Sequence, residues 1–160
     1  MIAVVADTHM PRGSRRLPPR CVELIAAADA TIHAGDFLDL PVLEEIEALC
    51  PTVHAVHGNV DSAVLRQRLP EVEEIRFGEK TIALVHDAGP ARGRLGRLRA
   101  RFPTADAVVF GHSHMPLHEE EDGFQIFNPG SPTERRQAPR RSLGLLRVEQ
   151  GELVFEHIWL

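Results

Sequence analysis

The sequence predicts an α/β protein built as a four-layer α/β-β/α sandwich, with two mixed sheets packed face to face and helices outside. Three observations predict it. The first third alternates short apolar, β-branched runs with helix-spaced apolar positions, the pattern of a parallel sheet with helices packed on it. The second half adds further apolar runs, two pairs of them separated by tight-turn residues, which reads as hairpins. Most of the runs stop at a polar cluster carrying Asp, Asn or His.

The elements follow in order. Ile2 to Ala6 is a buried strand that stops at Asp7-Thr8-His9. Cys21, Val22, Leu24, Ile25 and Ala28 recur at helical spacing, so Arg20 to Ala28 is a helix. Thr31 to Ala34 is a second strand, stopped by Gly35-Asp36, and Val42 to Leu49 a second helix with Pro41 near its first turn. Thr52 to Val56 is a third strand, stopped by Gly58-Asn59. Glu74 to Phe77 and Lys80 to Val85 pair across Gly78-Glu79 and lead to His86. Arg92 to Arg101 is a basic amphipathic helix, with Leu95 and Leu98 inward and its arginines on a solvated face. Ala107 to Phe110 is a strand ending at Gly111-His112, and Gln125 to Phe127 one ending at Asn128-Pro129-Gly130-Ser131. Pro132 to Arg141 is a polar, basic loop; Leu143 to Val148 and Leu153 to Trp159 form a final hairpin across Gln150-Gly151.

The 160 residues fit one domain, residues 1–160, with no repeat or linker. A 43% hydrophobic, 26% charged composition is that of a folded soluble protein. A net charge of -5 argues against nucleic acid or an anionic membrane as the main partner. No apolar run is long enough to span a bilayer. The chain shows no leader pattern, and Cys21 and Cys50 do not make a disulfide framework, so the cytoplasm is the expected location. Nine histidines is a high count, and histidine is the commonest metal ligand among side chains.

In open α/β sheets, ligands sit outside the carboxyl ends of the strands. The polar clusters therefore converge on one edge: Asp7-X-His9, Gly35-Asp36, Gly58-Asn59, His86 and Gly111-His112-X-His114. Residues two apart in extended chain share a side, so Asp7 with His9, and His112 with His114, can face one ion together. Imidazole mixed with carboxylate suits Mn, Fe, Co, Ni or Zn better than Ca or Mg. Two such ions sharing a carboxylate would generate a bridging hydroxide near neutral pH, able to attack phosphorus in line. The plain reading of Asp7 and Asp36 alone is a helix cap; the ordered set is what favours metal binding.

With Asp39 and Asp61 included, the series Asp7-X-His9, Gly35-Asp36-X-X-Asp39, Gly58-Asn59-X-Asp61, His86 and Gly111-His112-X-His114 resembles the calcineurin-like metallophosphoesterase superfamily. The small size and Asn128-Pro129-Gly130-Ser131 resemble its compact phosphodiesterase branch, which also includes the retromer scaffold subunit. The resemblance implies that Asp7, His9 and His114 bind one metal, that Asn59, His86 and His112 bind the other, and that Asp36 bridges them. It implies two divalent ions (Mn, Ni, Fe or Zn), hydrolysis of a small phosphodiester or other phosphoester, and a homodimer; the alternative is a non-catalytic scaffold on the same fold.

Two departures matter. Val60 stands where many members carry a histidine that protonates the leaving alcohol, and His86-Asp87-Ala88 stands where the branch has His-Gly-His. Asp61 and His57 are secondary candidates for the chemistry, His57 as a proton donor. Asp39, like Asp61, is a candidate to orient a ligand histidine from behind. His33 is expected as a core residue supporting the site rather than a ligand. The arginines of the loops at 12–16 and 135–141 could border a phosphate pocket.

Overall fold

The structure, a computed structural model, describes residues 1–160. Its elements run β1 (Ile2–Val5), α1 (Pro19–Ala26), β2 (Ala30–His33), α2 (Leu40–Leu49), β3 (Val53–Ala55), α3 (Ala63–Arg68), β4 (Val72–Phe77), β5 (Lys80–Val85), α4 (Arg94–Arg101), β6 (Ala107–Val109), β7 (Leu117–Glu121), β8 (Phe124–Asn128), β9 (Ser142–Glu149) and β10 (Glu152–Trp159). They form two five-stranded sheets of order β10-β9-β1-β2-β3 and β4-β5-β6-β8-β7. Strands β1, β2 and β3 pair in parallel, as do β5, β6 and β8; the flanking hairpins are antiparallel.

The alternation of side chains along each strand builds the layers. Ile2, Val4 and Ala6 point between the sheets, meeting Ile32, Ile82, Leu84, Val109 and Phe127. Ala3 and Val5 point the other way, against Ile25 of α1, Leu43 and Ile46 of α2, and Leu65 of α3. On the far side of the second sheet, Val85, Val108, Phe110 and Ile126 pack against Leu98 of α4 and Phe102 beyond it. This is the four-layer sandwich. Burying an aliphatic side chain of this size contributes roughly 1.5–3 kcal/mol, so one apolar layer holds the two sheets together and two more hold the helices on their outer faces.

Two elements were not expected, α3 and β7. Helix α3 has six residues, too short to display a helical period, and starts on a Ser62 cap whose hydroxyl accepts from Leu65 N. Strand β7 is an edge strand of mostly exposed, acidic residues. It pairs antiparallel with β8 around Asp122-Gly123, both with positive φ, the arrangement of a tight hairpin turn. Two readings need correction. Asp39 caps α2, accepting from Leu40 N at 2.8 Å on an exposed surface, so it does not orient a ligand histidine. Helix α4 does not carry all its arginines on a fully solvated face: Arg94 is half-buried, its guanidinium carbon 5.1 Å from the centre of the Phe110 ring, whereas Arg97 stays exposed while donating to the carbonyls of Ala88, Pro90 and Arg92.

Candidate metal centre

Each candidate ligand stands in the loop just after a strand. Asp7 and His9 follow β1, Asp36 follows β2, Asn59 follows β3, His86 follows β5, and His112 and His114 follow β6. The loops after β1 and β2 continue side by side: Asp7 N and His9 N donate to Gly35 O and Asp36 O, each at 3.0 Å. The loop after β6 is pinned by Gly111 N to His86 O at 3.0 Å and by His112 N to Asp7 Oδ1 at 3.1 Å.

Asp7, His9, Asp36, His112 and His114 all adopt positive φ, a conformation uncommon outside glycine that costs on the order of 1 kcal/mol or more per residue. Tight turns at these positions aim successive side chains into one space. Strain of this kind persists only where surrounding contacts enforce it, and the contacts are identifiable. Asp61 accepts from Asp36 N at 3.1 Å, Leu38 N at 2.8 Å and Gly58 N at 2.7 Å. Its role is thus a backbone staple between two ligand loops; it bonds to no histidine. His33 is fully buried and stacked on Phe37. Its Nδ1 accepts from Gly35 N at 3.2 Å and its Nε2 lies 3.3 Å from Thr8 Oγ1. Burial first, and the neighbouring His86 second, push its pKa down to about 3, so the ring is neutral and Nε2 carries the proton.

The candidate ligands gather into two sets. In the first, Asp7 Oδ1 lies 3.5 Å from His114 Nε2 and 3.8 Å from His9 Nε2. In the second, His86 Nε2 lies 3.3 Å from Asp36 Oδ2 and 3.1 Å from Asn59 Oδ1, which is itself 3.0 Å from His112 Nδ1. Asp36 Oδ2 also lies 3.4 Å from His9 Nε2, so one carboxylate touches both sets. Donors held ~2.0–2.2 Å from one transition metal stand roughly 3–3.5 Å apart around it, close to these separations.

The electrostatics point the same way. Asp7 Oδ2 and both ring nitrogens of His9 and His114 are buried with no hydrogen-bond partner. A buried polar group left unpaired costs roughly 1–3 kcal/mol, and a cation among these atoms would satisfy several at once. Burial works against a charge on His9, yet the carboxylates of Asp36 and Asp7 outweigh it and raise its pKa to about 9. Burial likewise opposes ionisation of Asp36, but His86 and His9 hold its carboxyl far below the usual range. These carboxylates thus call for positive charge beside His9, which a bound cation would supply.

The candidate proton donor, His57, stands apart from both sets. It lines a cavity of about 240 Å³ with Asn59, His86, Arg66, Glu71, Asp87 and Arg101. Val60 is 42% exposed beside the centre, and only its backbone takes part, donating to Asp36 Oδ1 at 3.1 Å.

Arg15 and Arg16 border a groove with Asp39 and Glu45, and two of the loop arginines are paired to one carboxylate. Arg15 and Arg136 both pair with Glu134, at 3.1 and 3.6 Å. Glu134 has no counterpart among the sequence candidates. Nor do Ser131 and Thr133, whose hydroxyls donate to Asp7 O at 2.8 Å and Thr8 O at 2.7 Å. Asn128 secures the opposite loop, donating to Gly111 O at 2.8 Å. The Asn128-Pro129-Gly130-Ser131 run was the available signal, since it follows a strand as the ligand loops do.

A family model described as the calcineurin-like phosphoesterase superfamily domain matches residues 1–151. A probable metallophosphoesterase of Methanothermobacter thermautotrophicus is 33% identical, over 99% of this chain and 91% of the relative. Phosphodiesterase MJ0936 of Methanocaldococcus jannaschii is 27% identical over 81% and 82% of the two chains. The fold superposes on wild-type Vps29 of Entamoeba histolytica complexed with Zn2+, with a TM-score of 0.80 at 23% identity over 99% and 98% of the chains.

Proposed function

The chain belongs to the calcineurin-like phosphoesterase superfamily, and we propose that it is a phosphodiesterase of the compact branch, dependent on two divalent transition-metal ions. Asp7, His9 and His114 would hold one ion, Asn59, His86 and His112 the other, and Asp36 would serve both. The observation that carries this reading is the position of Asp36 Oδ2, 3.4 Å from His9 Nε2 and 3.3 Å from His86 Nε2. The bound metals would supply Lewis-acid stabilisation of the phosphoryl charge and a water of lowered pKa.

The chain's own groups set the rest. Asp36 and Asp61 fix the two metal loops relative to each other. The cavity lined by His57, Arg66, Glu71 and Arg101 opens beside Asn59 and His86. It is the natural berth for the ester group that does not react. Val60 has no proton to give a leaving alcohol. General acid catalysis typically contributes ~10²–10⁴-fold, so substrates whose leaving group departs as a stable anion are favoured.

Metal-stripped protein is tested with bis(p-nitrophenyl) phosphate after return of Mn, Ni, Fe, Zn or Mg. Turnover restored by metal supports the reading. Measured metal uptake without turnover would favour the non-catalytic scaffold instead. For the leaving-group argument, aryl diesters are expected to react on the order of 10²-fold faster than alkyl diesters of the same charge. Equal kcat/KM for the two series would mean that another residue, His57 first, supplies the proton.

A further inference from the structure

Each ligand histidine has two ring nitrogens. One can face an ion only if the other carries the proton and has somewhere to donate it. In His86 this is arranged within the fold: Nε2 faces Asp36 and Asn59, and Nδ1 lies 2.8 Å from Ala34 O. In His114, Nε2 faces Asp7, and Nδ1 points away from the centre, 3.8 Å from Glu134 Oε2. Both of these last atoms are buried and without a hydrogen-bond partner. Two complementary unpaired atoms face each other across a gap only about 0.8 Å wider than a normal N–H···O contact.

We infer that Glu134 is the positioning residue of His114, accepting its Nδ1 proton and so presenting Nε2 to the metal. The inference rests on the reading of Asp7, His9 and His114 as metal ligands. The placement of Glu134 is itself over-determined. Its backbone N–H donates to Ser131 Oγ at 3.0 Å, and that hydroxyl in turn donates to Asp7 O at 2.8 Å. Arg15 holds Oε1 at 3.1 Å from one side, and Arg136 approaches Oε2 at 3.6 Å from the other. Two guanidinium groups, one from the loop after β1 and one from its own loop, therefore hold this carboxylate beside a single ring. Of the loop arginines, Arg15 and Arg136 thus direct their charge to Glu134. A carboxylate acceptor also raises the basicity of the imidazole it binds, strengthening the metal bond on the other side.

The test is a Zn2+ titration of metal-stripped protein, followed in histidine side-chain 1H–15N spectra, which read His114 and His86 separately. In metal-free wild type, His114 is expected as the Nδ1–H tautomer. In Glu134→Ala, half-saturation at His114 is expected to need ~10–100-fold more Zn2+, with His86 unchanged. Glu134→Gln keeps an acceptor oxygen and is expected to stay within a few-fold of wild type. A wild-type Nε2–H tautomer, or equal Zn2+ half-saturation in Glu134→Ala, would overturn the inference. Should wild type itself take up no Zn2+, the two-ion reading fails instead, and the tautomer still decides what Glu134 does. If Glu134→Ala does not fold, the wild-type tautomer and the Glu134→Gln titration carry the decision.

Discussion

Asp36→Ala is expected to abolish metal-restored hydrolysis and to weaken binding at both metal positions together. The other candidate ligands each belong to one set, whereas Asp36 approaches His9 and His86 with the same oxygen. Removing it takes a negative charge from both sets at once. It also removes the acceptor for Val60 N, loosening the loop that carries Asn59. Metal stabilisation of transition-state charge is worth several kcal/mol, and each 1.36 kcal/mol is a tenfold rate change. The expected loss in kcat/KM is therefore on the order of 10³-fold or more. Calorimetric titration of Mn2+ or Zn2+ into the variant, beside the bis(p-nitrophenyl) phosphate assay, checks both parts. Full occupancy of one position with wild-type affinity would show that Asp36 serves one ion only.

Gly58→Ala is expected to damage the same centre without replacing a candidate ligand. A Cβ at residue 58 would fall on Asp36 Oδ1, with Asp36 N at 2.5 Å and Asp36 Cγ at 2.7 Å. None of these atoms can yield cheaply, because Asp36 N is held by Asp61 and Oδ1 by Val60 N. The opposing turn is equally close, since a Cβ on Gly35 would lie 2.8 Å from Gly58 N. Overpacking typically costs about 1–3 kcal/mol, and in a chain of this size each kcal/mol lowers Tm by roughly 2–4 °C. The larger effect is on turnover, because even a small displacement of a reacting geometry costs ~10²-fold. Gly96→Ala in α4 is the control: a Cβ there meets nothing within 4 Å, and alanine favours a helix. If Gly58→Ala matched Gly96→Ala in both Tm and kcat/KM, the close approach of the two turns would be without consequence.

The parts of this molecule legible in the sequence are those with a period or a punctuation mark. Strand β1 was visible because both its faces are buried, leaving an unbroken apolar run up to Asp7. The hairpin of β9 and β10 was visible at Gln150-Gly151, both with positive φ. The candidate ligands were visible because the strand ends collect polar residues beside glycines, although the left-handed turns that aim them left no mark of their own. Strand β7 was not visible, although Asp122-Gly123 is a strong turn signal. A run of Leu-His-Glu-Glu-Glu has no apolar alternation, and its strand character comes from backbone pairing with β8, helped by the His118–Gln125 contact at 2.9 Å. Asp39 and Asp61 looked equivalent in the sequence, each three or two residues beyond a candidate ligand. Only the turn geometry sends one to a helix cap and the other to three backbone donors. Glu134 lies in a loop whose composition says only that it is polar, and its importance comes from residues far away in the chain.

The ligand loops have a further consequence, for folding rather than for chemistry. Asp7, His9, Asp36 and Asn59 hang from one sheet, while His86, His112 and His114 hang from the other. Neither sheet carries a complete set for either ion. The hydrogen bond from His112 N to Asp7 Oδ1 spans 105 residues of chain. A molecule whose sheets had met out of register, or had not yet met, would therefore present two half-sites and grip nothing well. Occupancy of the candidate centre would then report correct assembly, because it needs both sheets joined across the layer of Val4, Ile32, Leu84 and Phe127.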